Sequence, residues 1–82
     1  MGKAGRVLQT VLEAYNISQS KLASVLGIGR SNVYRWVKEV RDPNSETLIR
    51  IIKGLEQIDP EAAARFKMMY LGDFDEEETS PD

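Results

Sequence analysis

The chain has 82 residues and a net charge of −2, with 41% hydrophobic and 29% charged residues, which fits one small globular domain and argues against wholesale disorder. It contains no cysteine and no histidine, so disulfides, thiolate sites, the commonest metal ligand and the side chain best suited to proton transfer near neutral pH are all excluded. Most hydrolytic and metal-assisted mechanisms lose their usual parts, and the expectation is a protein that is not an enzyme and carries no metal or cofactor.

The apolar residues recur at helical spacing, and neither sustained alternation nor an Asn-Gly or Asp-Gly turn signals a strand. Over residues 4–15, Val7, Leu8, Val11, Leu12 and Tyr15 make one apolar face. Asn16 follows, a residue that tolerates the left-handed conformation in which many helices end. Ser18 caps a second helix that carries Leu22, Ala23, Val25 and Leu26 and stops at Gly27. Lys21 occupies the place of the glutamate that would complete a capping box. Gly29 caps a third helix, through about Glu39, with Val33, Trp36, Val37 and Val40 inward. Asp42-Pro43 breaks the chain, because proline disfavours helical geometry in the residue before it. Asn44 then caps a fourth helix bearing Leu48, Ile51, Ile52 and Leu55. Asp59-Pro60-Glu61 restarts the chain with a cap, a first-turn proline and an acid near the positive helix end. The fifth helix holds Ala62, Ala63, Phe66, Met69 and Tyr70 and is predicted to end at Leu71-Gly72. Five short helices with short joints predict a compact all-α bundle.

Charge is divided along this order. Residues 1–58 carry nine bases against five acids, a balance of +4, whereas residues 59–82 carry two bases against eight acids, a balance of −6. The distribution, not the total, sets the local field. Asp75-Glu76-Glu77-Glu78 is a block of like charge and predicts a disordered acidic tail over 73–82, which solubilises the domain or competes for its basic face. The domain proper is expected over 1–72. No apolar stretch approaches the ~20 residues that span a bilayer, and Met1-Gly2-Lys3-Ala4-Gly5-Arg6 has no hydrophobic run behind it. The expected location is the cytoplasm, at the nucleoid of a prokaryote or phage-infected cell. The Asn16-Ile17-Ser18 sequon then carries no meaning.

Residues 19–38 hold the informative spacing. Two helices crossing steeply need a small residue where they touch, which Ala23 supplies, and the tight turn between them needs positive φ, which Gly27 supplies. Leu22, Leu26, Ile28, Val33 and Trp36 fill the wedge. Here the sequence resembles the Cro/C1-type (lambda-repressor-like, XRE) helix-turn-helix family. The match runs from Leu12 through Asn16-Ile17-Ser18-Gln19 and Leu22-Ala23 to Gly27-Ile28-Gly29-Arg30-Ser31-Asn32-Val33-Tyr34-Arg35-Trp36. It resumes at Arg41-Asp42-Pro43-Asn44 and continues to Leu55. The resemblance implies a five-helix fold and a third helix, about 30–39, that enters the major groove of double-stranded DNA.

Two positions depart from the family pattern. An arginine late in the first helix usually pairs with a glutamate after the tryptophan-like position; here Leu12 and Val37 stand in those places. Both are apolar together, so no buried charge is orphaned and the swap reads as a repacked core. The glycine expected after the third helix is replaced by Lys38-Glu39-Val40, which predicts a longer helix and an altered loop.

Carried onto the matching residues, the resemblance makes Arg30, Ser31, Asn32, Tyr34 and Arg35 base-contacting, the arginines through bidentate forks to guanine. Ser18, Gln19, Lys38 and Arg41 would contact phosphates, adding salt-dependent affinity without sequence preference. Trp36 is assigned to the core. Function by this reading is transcriptional regulation, by default repression, as a homodimer on two half-sites. The alternative is a protein-interaction or antitoxin-like module that keeps the fold without operator recognition, with a partner on the fifth helix or acidic tail; Met68 or Tyr70 would serve a dimer interface. Other chemistry fails. Gly27-Ile28-Gly29-Arg30-Ser31-Asn32 lacks the third glycine and preceding strand of a dinucleotide fingerprint. The tail lacks the spacing of a calcium loop.

Overall fold

The turn residues stop and start the helices through hydrogen bonds of their own. A computed structural model of the chain describes residues 3–38 and 43–79, with side-chain surroundings as far as Gly72. Its helices are α1 (Lys3–Ala14), α2 (Gln19–Leu26), α3 (Arg30–Lys38), α4 (Ser45–Ile58) and α5 (Pro60–Thr79), and no strand occurs among the described residues. After α1, Asn16 takes the left-handed conformation with φ 57°, and the Ile17 N–H donates back to the Leu12 carbonyl at 2.8 Å. Gly27 does the same after α2 with φ 71°, which lets the Ile28 N–H reach the Ala23 carbonyl at 3.0 Å. Ser18 Oγ accepts from the Lys21 N–H, and Asn44 Oδ1 accepts from the Thr47 N–H, so both expected N-caps form. Gly29 stands at the start of α3, where its carbonyl accepts from the Asn32 N–H. Asp59 serves two helices. Its N–H donates to the Leu55 carbonyl to close α4, while its Oδ1 accepts from the Glu61 N–H to open α5.

One end of the chain corrects the sequence reading. The helix predicted to stop at Leu71-Gly72 continues to Thr79. A glycine terminates a helix by turning left-handed, and Gly72 does not. The residues after it, Asp73-Phe74-Asp75-Glu76-Glu77-Glu78, contain no proline or glycine to interrupt the run. Between α3 and α4, Glu39, Val40, Arg41 and Asp42 lie outside the described residues, so the expected reach of α3 to Glu39 and the inward place of Val40 lie there too.

The core draws on every helix. Val7, Leu8, Val11 and Leu12 from α1, Leu22 and Ala23 from α2, Val33 and Val37 from α3, Ile51 and Leu55 from α4, and Ala62, Ala63 and Phe66 from α5 are buried together with Ile17. Among the described residues every fully buried side chain is apolar. Leu12 and Val37 are 5% and 1% exposed, so the apolar replacement of the family's charged pair is a repacked core. Tyr70 stacks on Phe66 at 6.1 Å between centroids and is half-buried. Met68, the other candidate for an interface, is 70% exposed.

The helices pack as α1 on α3 and α5, α2 on α3 and α4, and α4 on α5, which leaves one long side of α3 uncovered. The tightest joint is between α1 and the end of α3. A Cβ at Gly5 would lie 2.7 Å from the Val37 carbonyl oxygen and 2.9 Å from that of Trp36. Backbone cannot yield as a flexible side chain can. Gly5→Ala is therefore expected to lower unfolding free energy by about 1–3 kcal/mol in urea titration, although alanine is the better helix former. Gly72 is the control, since a methyl group added there would meet nothing within 4 Å. Gly72→Ala raises stability by up to about 1 kcal/mol.

Candidate nucleic-acid interface

The rotation of α3 is set by two buried valines. Val33 and Val37 are 0% and 1% exposed and lie four residues apart, so the helix must turn its other side outward. At 100° per residue, Arg30, Ser31, Tyr34, Arg35 and Lys38 then share an arc of about 140°. All five side chains are exposed. Trp36 is half-buried against the core, in the place the sequence reading assigned to it.

Within this arc the side chains are partly pre-ordered. The Arg35 guanidinium donates to Asn32 Oδ1 at 3.3 Å, one turn back along the helix. Asn32 is half-buried on the flank, so in this state its carboxamide oxygen holds Arg35. Lys38 Nζ lies 5.8 Å from the centroid of the Tyr34 ring, which is 53% exposed. The interaction brings an ammonium and an amphipathic ring to the middle of the arc, where one can meet a phosphate and the other a base edge or sugar. Arg30 and Ser31 stand exposed at the first turn.

The residues expected at phosphates are divided. Ser18 is exposed, but its oxygen is engaged as the α2 cap, which leaves the hydroxyl proton to donate outward. Gln19 is half-buried and lines an open recess with Gln9, Leu12, Glu13, Asn16 and Ile17. Its Oε1 is buried without a protein hydrogen-bond partner. The recess places Gln19 at the α1–α2 joint. Arg41 lies outside the described residues.

One contributor escaped the sequence reading. Lys21 is exposed on the first turn of α2, and residues 14–38 contain four bases (Lys21, Arg30, Arg35, Lys38) and no acid. The signal was available in the sequence, but a charge balance taken over 1–58 dilutes it with the acids on either side. This interval is the segment that forms α2, the turn and α3, so the helix-turn-helix presents only positive formal charge.

Residues 8–62 match the helix-turn-helix family model. The chain belongs to the Cro/C1-type helix-turn-helix family. It is also similar to a Methanocaldococcus jannaschii protein named "Putative HTH-type transcriptional regulatory protein", with 30% identity over 89% of this chain and 26% of that relative. The chain thus spans about a quarter of the length of the curated relative it matches. No solved structure gives a significant match. The family is one of DNA-binding transcription regulators and not a class of enzymes. The all-α bundle fits the lambda-repressor-like fold of this family.

Cap and contact residues separate experimentally. Ser18→Ala is expected to lower unfolding free energy by about 1 kcal/mol through loss of the α2 cap. Arg35→Ala, on the exposed face, leaves it within about 0.5 kcal/mol. Urea unfolding of the two variants beside wild type measures both.

Proposed function

We propose that this helix-turn-helix protein binds double-stranded DNA sequence-specifically and represses transcription, with α3 lying in the major groove. The observation that carries the reading is the outward arc of α3, where Arg30, Ser31, Tyr34, Arg35 and Lys38 are exposed while Val33 and Val37 hold the opposite side in the core. Arg30 and Arg35 read guanine O6 and N7, each pair discriminating by about 1–3 kcal/mol. Asn32 positions the Arg35 fork, and releases it where the carboxamide itself meets adenine. Ser31 and Tyr34 contact base edges or the thymine methyl. Ser18, Gln19, Lys38 and Arg41, with Lys21, hold the phosphates.

The protein acts as a homodimer on two half-sites one helical turn apart, because one module of this size makes few contacts and a second makes the next binding event intramolecular. Occlusion of polymerase at such a site is the default route to repression. The DNA-binding domain comprises residues 1–72 and is followed by an acidic C-terminal tail over 73–82. No helix among the described residues is long and apolar enough to cross a membrane, and we place the protein with the DNA in the cytoplasm.

Selection from a random duplex library at about 0.15 M salt tests the reading. The expected result is an enriched site containing guanines that an Arg30→Ala/Arg35→Ala variant no longer selects. Failure of wild type to enrich any sequence, with both proteins binding equally weakly, would support a protein-interaction module instead. Affinity for the selected site is also expected to fall steeply with salt, and Lys38→Ala reduces the slope of log K against log[salt] by about 1 without changing the preferred sequence.

A further inference from the structure

Among the described residues, Gln19 Oε1 is the only side-chain polar atom buried without a hydrogen-bond partner. Gln19 as a whole is half-buried, so its oxygen faces inward and Nε2 is left on the outer side of the carboxamide. An amide oxygen out of reach of water is costly unless a donor meets it. The recess at the α1–α2 joint brings three side-chain donors near, from Gln9, Asn16 and Ser18, together with the Glu13 carboxylate. Asn16 and Ser18 are exposed, and Ser18 Oγ is held over the start of α2 by the Lys21 N–H. Gln9 is half-buried, as Gln19 is. Its Nε2 donates to Glu13 Oε2 at 3.3 Å, a long bond between residues one turn apart on α1. A carboxamide nitrogen carries two N–H groups, so Gln9 has a second one to give.

We propose that Gln9 is a positioning residue for the phosphate contact of Gln19. In the DNA complex its second N–H donates to Gln19 Oε1 and so holds Gln19 Nε2 outward, toward a phosphate oxygen. The sense of this chain of bonds follows from its two ends, because an ionised carboxylate and a phosphate both only accept. Glu13 therefore binds Gln9 by its nitrogen. That nitrogen can meet Gln19 only at its oxygen, and Gln19 has only its own nitrogen left for the phosphate. Turned the other way, Gln19 would set an oxygen against the phosphate, acceptor against acceptor. Because both glutamines line one recess, a change of side-chain torsion makes the bond without moving either helix. An oxygen unmet in the free chain and met in the complex favours the complex. Gln9 thus serves DNA binding from α1 without touching DNA itself.

This assignment rests on the DNA-binding reading, and its test uses the full chain on the duplex that library selection returns. Gln9→Met keeps the length of the side chain and removes its donors; Gln9→Ala replaces it should circular dichroism show a disturbed helix. The substitution is expected to weaken affinity about tenfold, and in a Gln19→Ala background to change it less than about twofold. Duplexes with one methylphosphonate at a time supply a readout that a merely structural role does not move. At one position the neutral linkage is expected to cost wild type about fivefold more affinity than it costs Gln9→Met, with the selected sequence the same for both. Gln9→Met that binds as tightly as wild type overturns the proposal. So does an equal loss in the wild-type and Gln19→Ala backgrounds, or a Gln9→Met protein as sensitive as wild type to every neutral linkage. Where wild type selects no duplex, the DNA-binding reading fails together with this one; where it selects one and the Gln9 comparisons fail, the role of Gln9 falls alone.

Discussion

Burial of Val33 and Val37 is the constraint from which the rest of the molecule follows. Two methyl-bearing side chains one turn apart, both essentially inaccessible, allow α3 a single rotation about its axis. That rotation alone decides which side chains meet solvent. The neighbouring joints then hold α3 in place rather than choose its orientation. Gly27 closes α2 in the left-handed conformation so that the chain can turn into α3, and Gly5 lets α1 approach the carbonyls at the other end of α3. A side chain at Gly5 would push α1 and α3 apart, whereas at Gly27 there is space for one and the cost is the left-handed backbone.

The outer surface of α3 is organised locally rather than by the core. Its contacts run within the helix, from Arg35 back to Asn32 and from Lys38 back to Tyr34. Such contacts narrow the conformations of long side chains before any partner arrives, so less entropy is lost on association. They are also weak and solvent-facing, so each can be exchanged for a contact to a phosphate or a base. A rigid inner face and an exchangeable outer one are both needed when backbone position is set by folding and side-chain position by the ligand.

Much of this was legible in the sequence because local chemistry decides it. Asn16, Ser18, Gly27, Asn44 and Asp59 act on groups within five residues, and each ends or begins a helix where the sequence predicts it. The inward residues of α1, α4 and α5 followed from helical period alone. The end of α5 was not legible, since Gly72 stops a helix only in a conformation that surrounding structure selects, and here the helix runs on. The place of Gly5 was equally hidden: its reason is a contact with carbonyls more than thirty residues away. At the site, the exposed residues of α3 followed from its period. The engagement of Asn32 with Arg35 did not, because a carboxamide on the flank has several partners within reach. Lys21 was missed for want of a narrower window on charge.

The replacement of a charged pair by Leu12 and Val37 has a further consequence. With every fully buried side chain among the described residues apolar, no ion pair inside the bundle responds to the ionic medium. Apolar cohesion weakens little with moderate salt, whereas contacts between exposed cations and phosphates are screened and exchanged for small ions. Folding and nucleic-acid attachment are therefore governed by separate variables. On the proposed function, a rise in ionic strength would weaken attachment to a duplex while leaving the scaffold intact.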